Sequence, residues 1–338
     1  MKKIALITGI TGQDGAYLAK YLLERNWHVF GAFRRGSTFN TWRLEKLGIL
    51  DKIELINLEL LEMTNIINVI KKIKPTTIYN LAAQSFVGAS FEQPIFTSEV
   101  NALGVTRILE AIKTIDPKIK FYQASTSEMF GNNTSHLLDE NTPFYPKSPY
   151  GASKLYAHWI SVNYRESYNM FVCSGILFNH ESPLRGDEFV TKKIISGLTK
   201  IKFKKQKLLK LGNLEAKRDW GFAGDYVEGM FKMMNSEKPD DYVLATGKAY
   251  SVRDFCEIAA LNLNMKIKWQ GTGEKTIGIN SVDGEKVISI DKNFYRPAEI
   301  DCLRGDSKKA RNLLNWKPKT DFNSLVKLMI EDEVKSYA

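Results

Sequence analysis

The N-terminal stretch ALITGITGQDGAYLAKYLLERNWHVFGAFRR (residues 5–35) decides the fold of this chain. An apolar run is followed by a glycine-rich turn, an amphipathic helical pattern and a second apolar run. This order predicts a strand, a helix and a parallel strand, which is the first unit of a Rossmann-type sheet. Gly9, Gly12 and Gly15 have the GxxGxxG spacing of a turn whose backbone can approach a pyrophosphate. A glycine-rich turn without a ligand is the alternative.

Arg34 and Arg35 end the second apolar run, where an acidic residue would bind the ribose 2′-hydroxyl of NAD. Arginines favour a 2′-phosphate instead, so the sequence predicts NADP as the cofactor. Two arginines that are merely solvated at a strand end are the alternative. Glu59 and Leu60, after the third strand, are placed to meet the adenine, and the segment 81–85 is placed to lie along the cofactor.

Strand-like and helix-like segments alternate through the first half of the chain. The predicted strands are 3–8, 28–33, 53–58, 76–83, 120–125 and 171–178, with helical patterns at 16–25, 64–73, 105–115 and 152–168. Strict alternation implies parallel pairing with crossover helices. We therefore predict an α/β fold with a Rossmann-type doubly wound parallel sheet and a smaller C-terminal α/β substrate-binding domain. The predicted NADP-binding domain is 1–178, with a returning segment near 223–248, and the smaller substrate-binding domain is 179–222 and 249–338.

The composition is that of an ordinary soluble protein, with 338 residues and a formal net charge of +10. Much of the positive charge lies in TKIKFKKQKLLKLG (199–212), which we interpret as a solvated helix and strand. No nucleic-acid motif accompanies it, although a basic surface would also attract phosphorylated small molecules. No apolar run is long enough for a membrane span, and we interpret the start MKKIALITGI as the first strand and its turn and not as a signal peptide. Three scattered cysteines without CxxC spacing predict no disulfide framework and no metal site, so we expect a cytoplasmic protein.

Tyr150 and Lys154 lie four residues apart in SPYGASKLY and so on one face of a helix. A lysine ammonium stabilises a phenolate, so we expect the pKa of Tyr150 to be lowered and the tyrosine to act as a base. Chance occurrence of YxxxK is common. Upstream, QASTSEMFG (123–131) ends a strand with Thr126, which can hydrogen-bond a reacting oxygen. Glu128 adds a carboxylate that a simple reductase or epimerase does not need, and a surface glutamate without chemistry is the alternative.

Long motifs of this sequence resemble the GDP-mannose 4,6-dehydratase family of extended short-chain dehydrogenases/reductases. They include GITGQDGAYLAKYLLE, LAAQSFVGASFEQP, FYQASTSEMFG, TPFYPKSPYGASKLYAHWISVNYRESYNMF, NHESPLRG, FVTKKI, NLEAKRDWGFAGDYV, FYRPAEID and LNWKP. The resemblance extends from residue 4 to about residue 318. NHESPLRG and NLEAKRDWGFAGDYV separate this family from relatives that act on UDP- or dTDP-sugars.

The resemblance implies a role for each matching residue. The catalytic positions are Thr126, Glu128, Tyr150 and Lys154. The cofactor positions, taken with those inferred above, are Gly9, Thr11, Gly12, Gln13, Asp14, Gly15, Arg34, Arg35, Glu59, Leu60, Leu81, Ala82, Ala83, Gln84, Ser85, Tyr150, Lys154, His180 and Arg185. The substrate positions are Ser85, Thr126, Glu128, Asn179, Lys193, Arg218, Arg296 and Glu299. A homodimer or homotetramer is also implied.

The sequence departs from the family pattern at several positions. Leu184 stands where the family usually has an arginine, Glu59 replaces an aspartate, and Phe96 replaces a tyrosine near the cofactor. Trp42 lies in a region through which family members contact a neighbouring subunit. These departures affect the expected sugar and assembly and leave the expected chemistry unchanged.

The resemblance and the four catalytic residues together predict a lyase that converts GDP-mannose to GDP-4-keto-6-deoxymannose while recycling NADP. A related GDP-sugar, such as a GDP-manno-heptose, is an open alternative for the substrate. A GDP-sugar 4-epimerase or reductase, a catalytically silent NADP-binding regulator and a basic nucleic-acid-binding protein are the competing functions.

Overall fold

The computed structural model describes residues 3–38, 40–132, 137–295 and 298–337. The strands in chain order are β1 (Ile4–Thr8), β2 (His28–Phe33), β3 (Glu54–Asn57), β4 (Thr77–Asn80), β5 (Lys120–Thr126), β6 (Val172–Leu177), β7 (His180–Glu181), β8 (Leu209–Leu211), β9 (Lys217–Arg218), β10 (Gly221–Phe222), β11 (Asp241–Leu244), β12 (Tyr250–Ser251), β13 (Ile267–Gln270), β14 (Ile277–Asn280), β15 (Lys286–Ile290) and β16 (Cys302–Leu303). The helices are α1 (Gln13–Leu23), α2 (Trp42–Lys46), α3 (Met63–Ile73), α4 (Val87–Glu92), α5 (Pro94–Ser98), α6 (Gly104–Ile115), α7 (Pro149–Tyr168), α8 (Val190–Lys202), α9 (Ala223–Met234), α10 (Val252–Leu261), α11 (Lys308–Leu314) and α12 (Phe322–Val334).

A seven-stranded sheet in the order β11-β6-β5-β4-β1-β2-β3 forms the centre of the fold. Every neighbouring pair in it is parallel. The order reverses at β1, so a crevice opens at the carboxyl ends of β1 and β4. The predicted Rossmann-type doubly wound sheet is confirmed.

Burial on both faces explains why the strands read as continuous apolar runs. In β1, Ala5 and Ile7 pack into one core with residues of α1 and α9, whereas Leu6 packs into the opposite core with residues of α3 and α6. Side chains alternate between the faces of a strand, so two covered faces require an apolar residue at every position.

Several predicted bounds shift by up to three residues, and two elements differ for a reason that the structure shows. The fourth strand ends at Asn80 and not at residue 83, because the amides of Leu81 and Ala82 leave the ladder and donate to Thr8 Oγ1, each at 3.1 Å. The predicted helix at 105–115 is the last part of a longer helical run, in which a π-helical turn (Glu99–Leu103) joins α5 to α6.

The C-terminal part of the chain builds a second core beside the carboxyl edge of the main sheet. A four-stranded sheet in the order β13-β14-β15-β8 packs with α8, α10 and α12 around buried residues such as Trp220, Phe255 and Phe322. Between these elements, α9 packs on α1 and β11 joins the main sheet beside β6.

Across the described residues, no helix combines the length and the apolar character needed to cross a membrane. The lysines of the segment 199–212 lie on the end of α8, the following turn and β8, and all of them are at least partly exposed.

Candidate active site

The glycine-rich loop between β1 and α1 can be built only with glycine at two positions. Gly9 has a φ of +71°, and a Cβ there would lie 2.8 Å from Ala82 N. A Cβ on Gly15 would lie 2.4 Å from Gly9 O. Gly12 precedes α1, and no described side chain caps this helix. The first-turn amides of α1 are thus suited to an anionic ligand, as the sequence predicts.

A buried ion pair joins this loop to the segment after β6. His180 Nε2 lies 2.8 Å from Asp14 Oδ2, and His180 Nδ1 lies 2.7 Å from Phe178 O. Both acceptors require a proton on the facing nitrogen, so the imidazole is held as a cation. Burial opposes both charges, but the pair lowers the pKa of Asp14 and raises the pKa of His180. Gln13 reinforces the junction by donating to His180 O at 3.1 Å.

Asn101 fixes the segment 81–85, and sequence reasoning missed it. Its Oδ1 accepts from Gln84 N and its Nδ2 donates to Gln84 O, each at 2.9 Å, while Nδ2 also reaches Ser153 Oγ at 3.3 Å. Asn101 is buried within the π-helical turn. In the sequence, the signal for this role was the polar residue Asn101 within the apolar pattern that precedes α6.

The four predicted catalytic residues meet at the carboxyl end of β5. Thr126 is the last residue of that strand, and Glu128 lies in the short 3₁₀ turn that follows. Tyr150 and Lys154 lie in the first turns of α7, which begins at Pro149 because Ser148 Oγ caps Gly151 N at 3.0 Å. All four line the same cavity of about 990 Å³.

Burial has the largest effect on the pKa values of Lys154 and Tyr150. It lowers the pKa of Lys154 to about 8, and Lys154 Nζ donates to Ala124 O at 2.8 Å. It also raises the pKa of Tyr150 to about 12, although a hydrogen bond from Thr126 acts in the opposite direction. The expected lowering of the pKa of Tyr150 is therefore wrong for this arrangement, in which Lys154 Nζ is 6.0 Å from the centre of the Tyr150 ring.

The residues predicted to hold the substrate line the outer part of the same cavity. Arg218 is buried, donates to Ile300 O at 2.8 Å and lies 3.4 Å from Glu299 Oε1. Lys193 lies over the ring of Phe294, 3.0 Å from its centre. Asn179, Ser85 and Arg185 also line the cavity, and Arg296 lies outside the described residues.

Only some of the other predicted cofactor residues line the cavity. Arg34 and Arg35 are exposed after β2, and the Arg34 guanidinium lies 6.0 Å from the ring of Phe96. Glu59 accepts from Leu61 N at 3.3 Å, whereas Leu60 is buried in the core. Asp14, Leu81, Ala83 and His180 line the cavity, whereas Gly9, Thr11, Gly12, Gln13, Gly15, Ala82 and Gln84 do not.

Leu184, which departs from the family pattern, is buried in the core. Its carbonyl accepts from Arg43 Nε at 2.7 Å, and Arg43 Nη1 donates to Thr11 O at 3.0 Å. Arg43 thus connects the glycine-rich loop to the segment 182–188, with the partly exposed Trp42 ring 4.4 Å from its guanidinium. Sequence reasoning did not identify Arg43.

Within the part of the chain that the structure describes, no group of three or more His, Cys, Asp or Glu side chains is arranged to hold a metal ion.

Solved structures with the same fold include nucleotide-sugar enzymes. A UDP-glucose 4-epimerase of Thermus thermophilus, in complex with NAD, aligns with a TM-score of 0.81 at 22% identity over 98% of this chain and 99% of that one. A dTDP-glucose 4,6-dehydratase of Bacillus anthracis aligns with a TM-score of 0.81 at 20% identity over 98% of this chain and 96% of that one. The chain therefore shares the fold of these two enzymes.

Comparison with known sequences identifies the family, whereas the solved structures show only the fold. A GDP-mannose 4,6 dehydratase of Homo sapiens is 47% identical over 342 residues, covering 99% of this chain and 92% of the human protein. A GDP-mannose 4,6-dehydratase of Sinorhizobium fredii is 46% identical over 98% of this chain and 97% of its own length. The family model for GDP-mannose 4,6 dehydratase matches residues 6–329. The chain belongs to the GDP-mannose 4,6-dehydratase family, as the motifs predicted.

Proposed function

We propose that this protein is an NADP-dependent hydro-lyase that converts GDP-mannose to GDP-4-keto-6-deoxymannose and water. Family membership supports the substrate and the reaction. The observation that carries the proposal is the single cavity that brings Thr126, Glu128, Tyr150 and Lys154 together with the cationic side chains of Lys193 and Arg218.

The glycine-rich loop fits a dinucleotide, because its close approaches leave no room for side chains and its helix N-terminus is open to a pyrophosphate. Arg34 and Arg35, exposed after β2, favour NADP over NAD by supplying cations for a 2′-phosphate. NADP held by these residues would supply the hydride acceptor for C4 of the sugar and the hydride donor for C6.

Tyr150 takes the proton of the sugar 4-hydroxyl, which Thr126 positions by hydrogen bonding. Because the pKa of Tyr150 is about 12 in the free protein, this step needs positive charge near the phenol. Arg185 supplies part of it, since its charge lowers the pKa of Tyr150. Lys154, buried on the same face of α7, is the second cation within reach.

Glu128 makes the reaction a dehydration. Once C4 is a ketone, the proton on C5 is acidic, and Glu128 removes it. The same carboxyl then protonates the departing 6-hydroxyl, which leaves as water. Hydride at C6 and a solvent proton at C5 complete the product. An epimerase or reductase has no step for this carboxylate.

The outer cavity suits a nucleoside diphosphate. Lys193 and Arg218 provide positive charge for the diphosphate, and Glu299 and Asn179 provide polar groups for guanine or ribose. A GDP-manno-heptose is the second candidate substrate, because recognition of the distal sugar carbon depends on the shape of this cavity.

The test is to incubate purified protein with GDP-mannose and, separately, with GDP-manno-heptose, without an added reductant. We expect a product that is lighter by one water and has a 4-keto-6-deoxy NMR spectrum, formed from GDP-mannose. A 4-epimer, or a product that needs stoichiometric NADPH, would contradict the proposal.

We propose two functional parts of the chain, with 1–178 and 223–248 binding NADP and with 179–222 and 249–338 binding the GDP-sugar. The return of β11 to the main sheet supports this division. A cytoplasmic location agrees with three free cysteines, Cys173, Cys256 and Cys302.

We also propose a homo-oligomer, a dimer or tetramer. One face of α7 exposes Tyr156 and Trp159, with Leu103 exposed at the start of α6. Large apolar side chains grouped on one helix face are typical of an interface. Sedimentation at several protein concentrations tests this proposal, and a concentration-independent monomer would contradict it.

A further inference from the structure

Much of the positive charge of the molecule lies in one segment, of which the proposed chemistry uses only Lys193. Residues 189–214 contain eight lysines and no Asp or Glu, whereas the whole chain has a net charge of +10. We call the five lysines at its centre the lysine stripe; they are Lys200, Lys202, Lys204, Lys205 and Lys207.

The lysine stripe is not neutralised by the fold. Lys192 pairs with Glu333 at 2.6 Å and Lys210 lies 3.3 Å from Asp291, one at each end of the segment. Among the described residues, no carboxylate lies within ion-pairing distance of any lysine of the stripe. Four of the five are exposed, and Lys200 is half-buried. An unpaired row of cations costs self-repulsion, so it is a feature that a structural role does not explain.

One end of the stripe, at Lys200, lies beside the substrate cavity. A side chamber of about 310 Å³ is lined by Lys200 and Lys210, and it shares Asp187, Lys193 and Phe294 with the main cavity. Lys193 lies on the ring of Phe294 at the boundary between the two spaces. Cations therefore continue from the exposed end of α8 to the cavity that we assign to the diphosphate.

We propose that the lysine stripe is a capture surface for the diphosphate of the nucleotide sugar, which it attracts before the ligand enters the main cavity. This inference rests on the proposed GDP-sugar substrate. A row of like charges beside a cleft raises the local concentration of an oppositely charged ligand and so its association rate. The charges of the stripe are exposed, so salt screens them over a Debye length of about 10 Å at 0.1 M ionic strength.

The test compares two triple variants of the full chain by stopped-flow binding of the fluorescent nucleotide N-methylanthraniloyl-GDP. The first is Lys202→Gln/Lys204→Gln/Lys205→Gln. The control, Lys52→Gln/Lys71→Gln/Lys118→Gln, removes the same charge from exposed lysines at the opposite edge of the main sheet. The wild-type protein is measured beside them.

At about 20 mM salt we expect the stripe variant to associate about 5- to 10-fold more slowly than wild type, and the control to stay within about 2-fold. The difference should vanish near 0.5 M salt, and the dissociation rate should be unchanged. Equal association rates at low salt, or a deficit that persists at high salt, would overturn the proposal. A stripe variant that loses only binding to DNA or to anionic vesicles would assign the surface to a macromolecule and would also overturn it.

Product formation from GDP-mannose, measured on the same samples, separates this proposal from the proposed function. If wild type did not dehydrate GDP-mannose but the stripe variant still bound nucleotide more slowly, the proposed function would be wrong and the capture surface would be supported. If wild type dehydrated GDP-mannose but the stripe variant associated at the wild-type rate, the proposed function would be supported and the capture surface would be wrong.

Discussion

Arg35 tests the choice of cofactor at the scale of a single residue. It is exposed after β2, and we propose that it binds the 2′-phosphate of NADP. Arg35→Asp replaces a cation by an anion, so NADP binding should weaken by about 10-fold or more, the scale of one charge-assisted hydrogen bond, with NAD affinity little changed. Fluorescence titration with both dinucleotides measures this, with Lys118→Asp as the control. Equal losses for NADP and NAD would remove the argument for NADP.

We expect the buried Lys154 to lower the free energy of unfolding, although the proposed reaction needs it. Its pKa is about 8 in the folded protein and about 10.4 in an unfolded chain, so at pH 7 burial of the charge works against folding. Lys154→Met should therefore abolish turnover and stabilise nucleotide-free protein by roughly 1–3 kcal/mol at pH 7. Gln123 still donates to Ala124 O at 3.0 Å, which keeps that carbonyl paired.

The direction in which stability changes with pH follows from the pKa of Lys154. Between about pH 8 and 10 the unfolded chain holds a proton that the folded protein has lost, so wild type gains stability with rising pH. The extra stability of Lys154→Met over wild type should be greatest below pH 8 and should decrease above it. Thermal unfolding from pH 6 to 10 measures this, and a variant that is less stable than wild type at pH 7 would contradict the account.

At the scale of the element, the π-helical turn before α6 aims Asn101 at the backbone of Gln84. Asn101→Ala leaves the amide and carbonyl of Gln84 without this partner and should cost about 1–3 kcal/mol of unfolding free energy. It should also weaken NADP binding, because the segment 81–85 is then free to move. Asn280→Ala is the matched control, since Asn280 is also buried and hydrogen-bonded but lies in the second sheet.

Denaturant unfolding and NADP titration of both variants separate the two roles. Similar losses of stability are expected, but only Asn101→Ala should lose NADP affinity. If both variants bound NADP equally well, Asn101 would be a packing residue.

The fold was predictable at this scale because its signals are local. The continuous apolar character of the strands and the spacing of the glycines both follow from neighbouring residues. The contacts of Asn101 and Arg43 were not predictable, because each joins segments far apart in the chain. The early end of β4 has the same cause, since Thr8 takes the amides that would have continued the ladder.

At the scale of the whole molecule, the four residues that the sequence predicts to be catalytic line one cavity, but the predicted lowering of the pKa of Tyr150 was wrong. Motif spacing places Tyr150 and Lys154 on one helix face. The pKa values of both depend on how much of the chain closes over the site, which only the packed structure contains. The ion pair of Asp14 and His180 likewise forms between residues 166 positions apart.

The measurement that tests the dehydratase assignment most directly is the reaction of Glu128→Gln with GDP-mannose in deuterated water. The substitution keeps the size of the side chain and removes the base. Wild type should give 4-keto-6-deoxy product with one deuterium at C5. The variant should oxidise C4, retain the C5 hydrogen and slow elimination by about 100- to 10,000-fold. Glu92→Gln, at another glutamate of the same cavity, should behave as wild type. Deuterated product formed by Glu128→Gln at the wild-type rate would contradict the account.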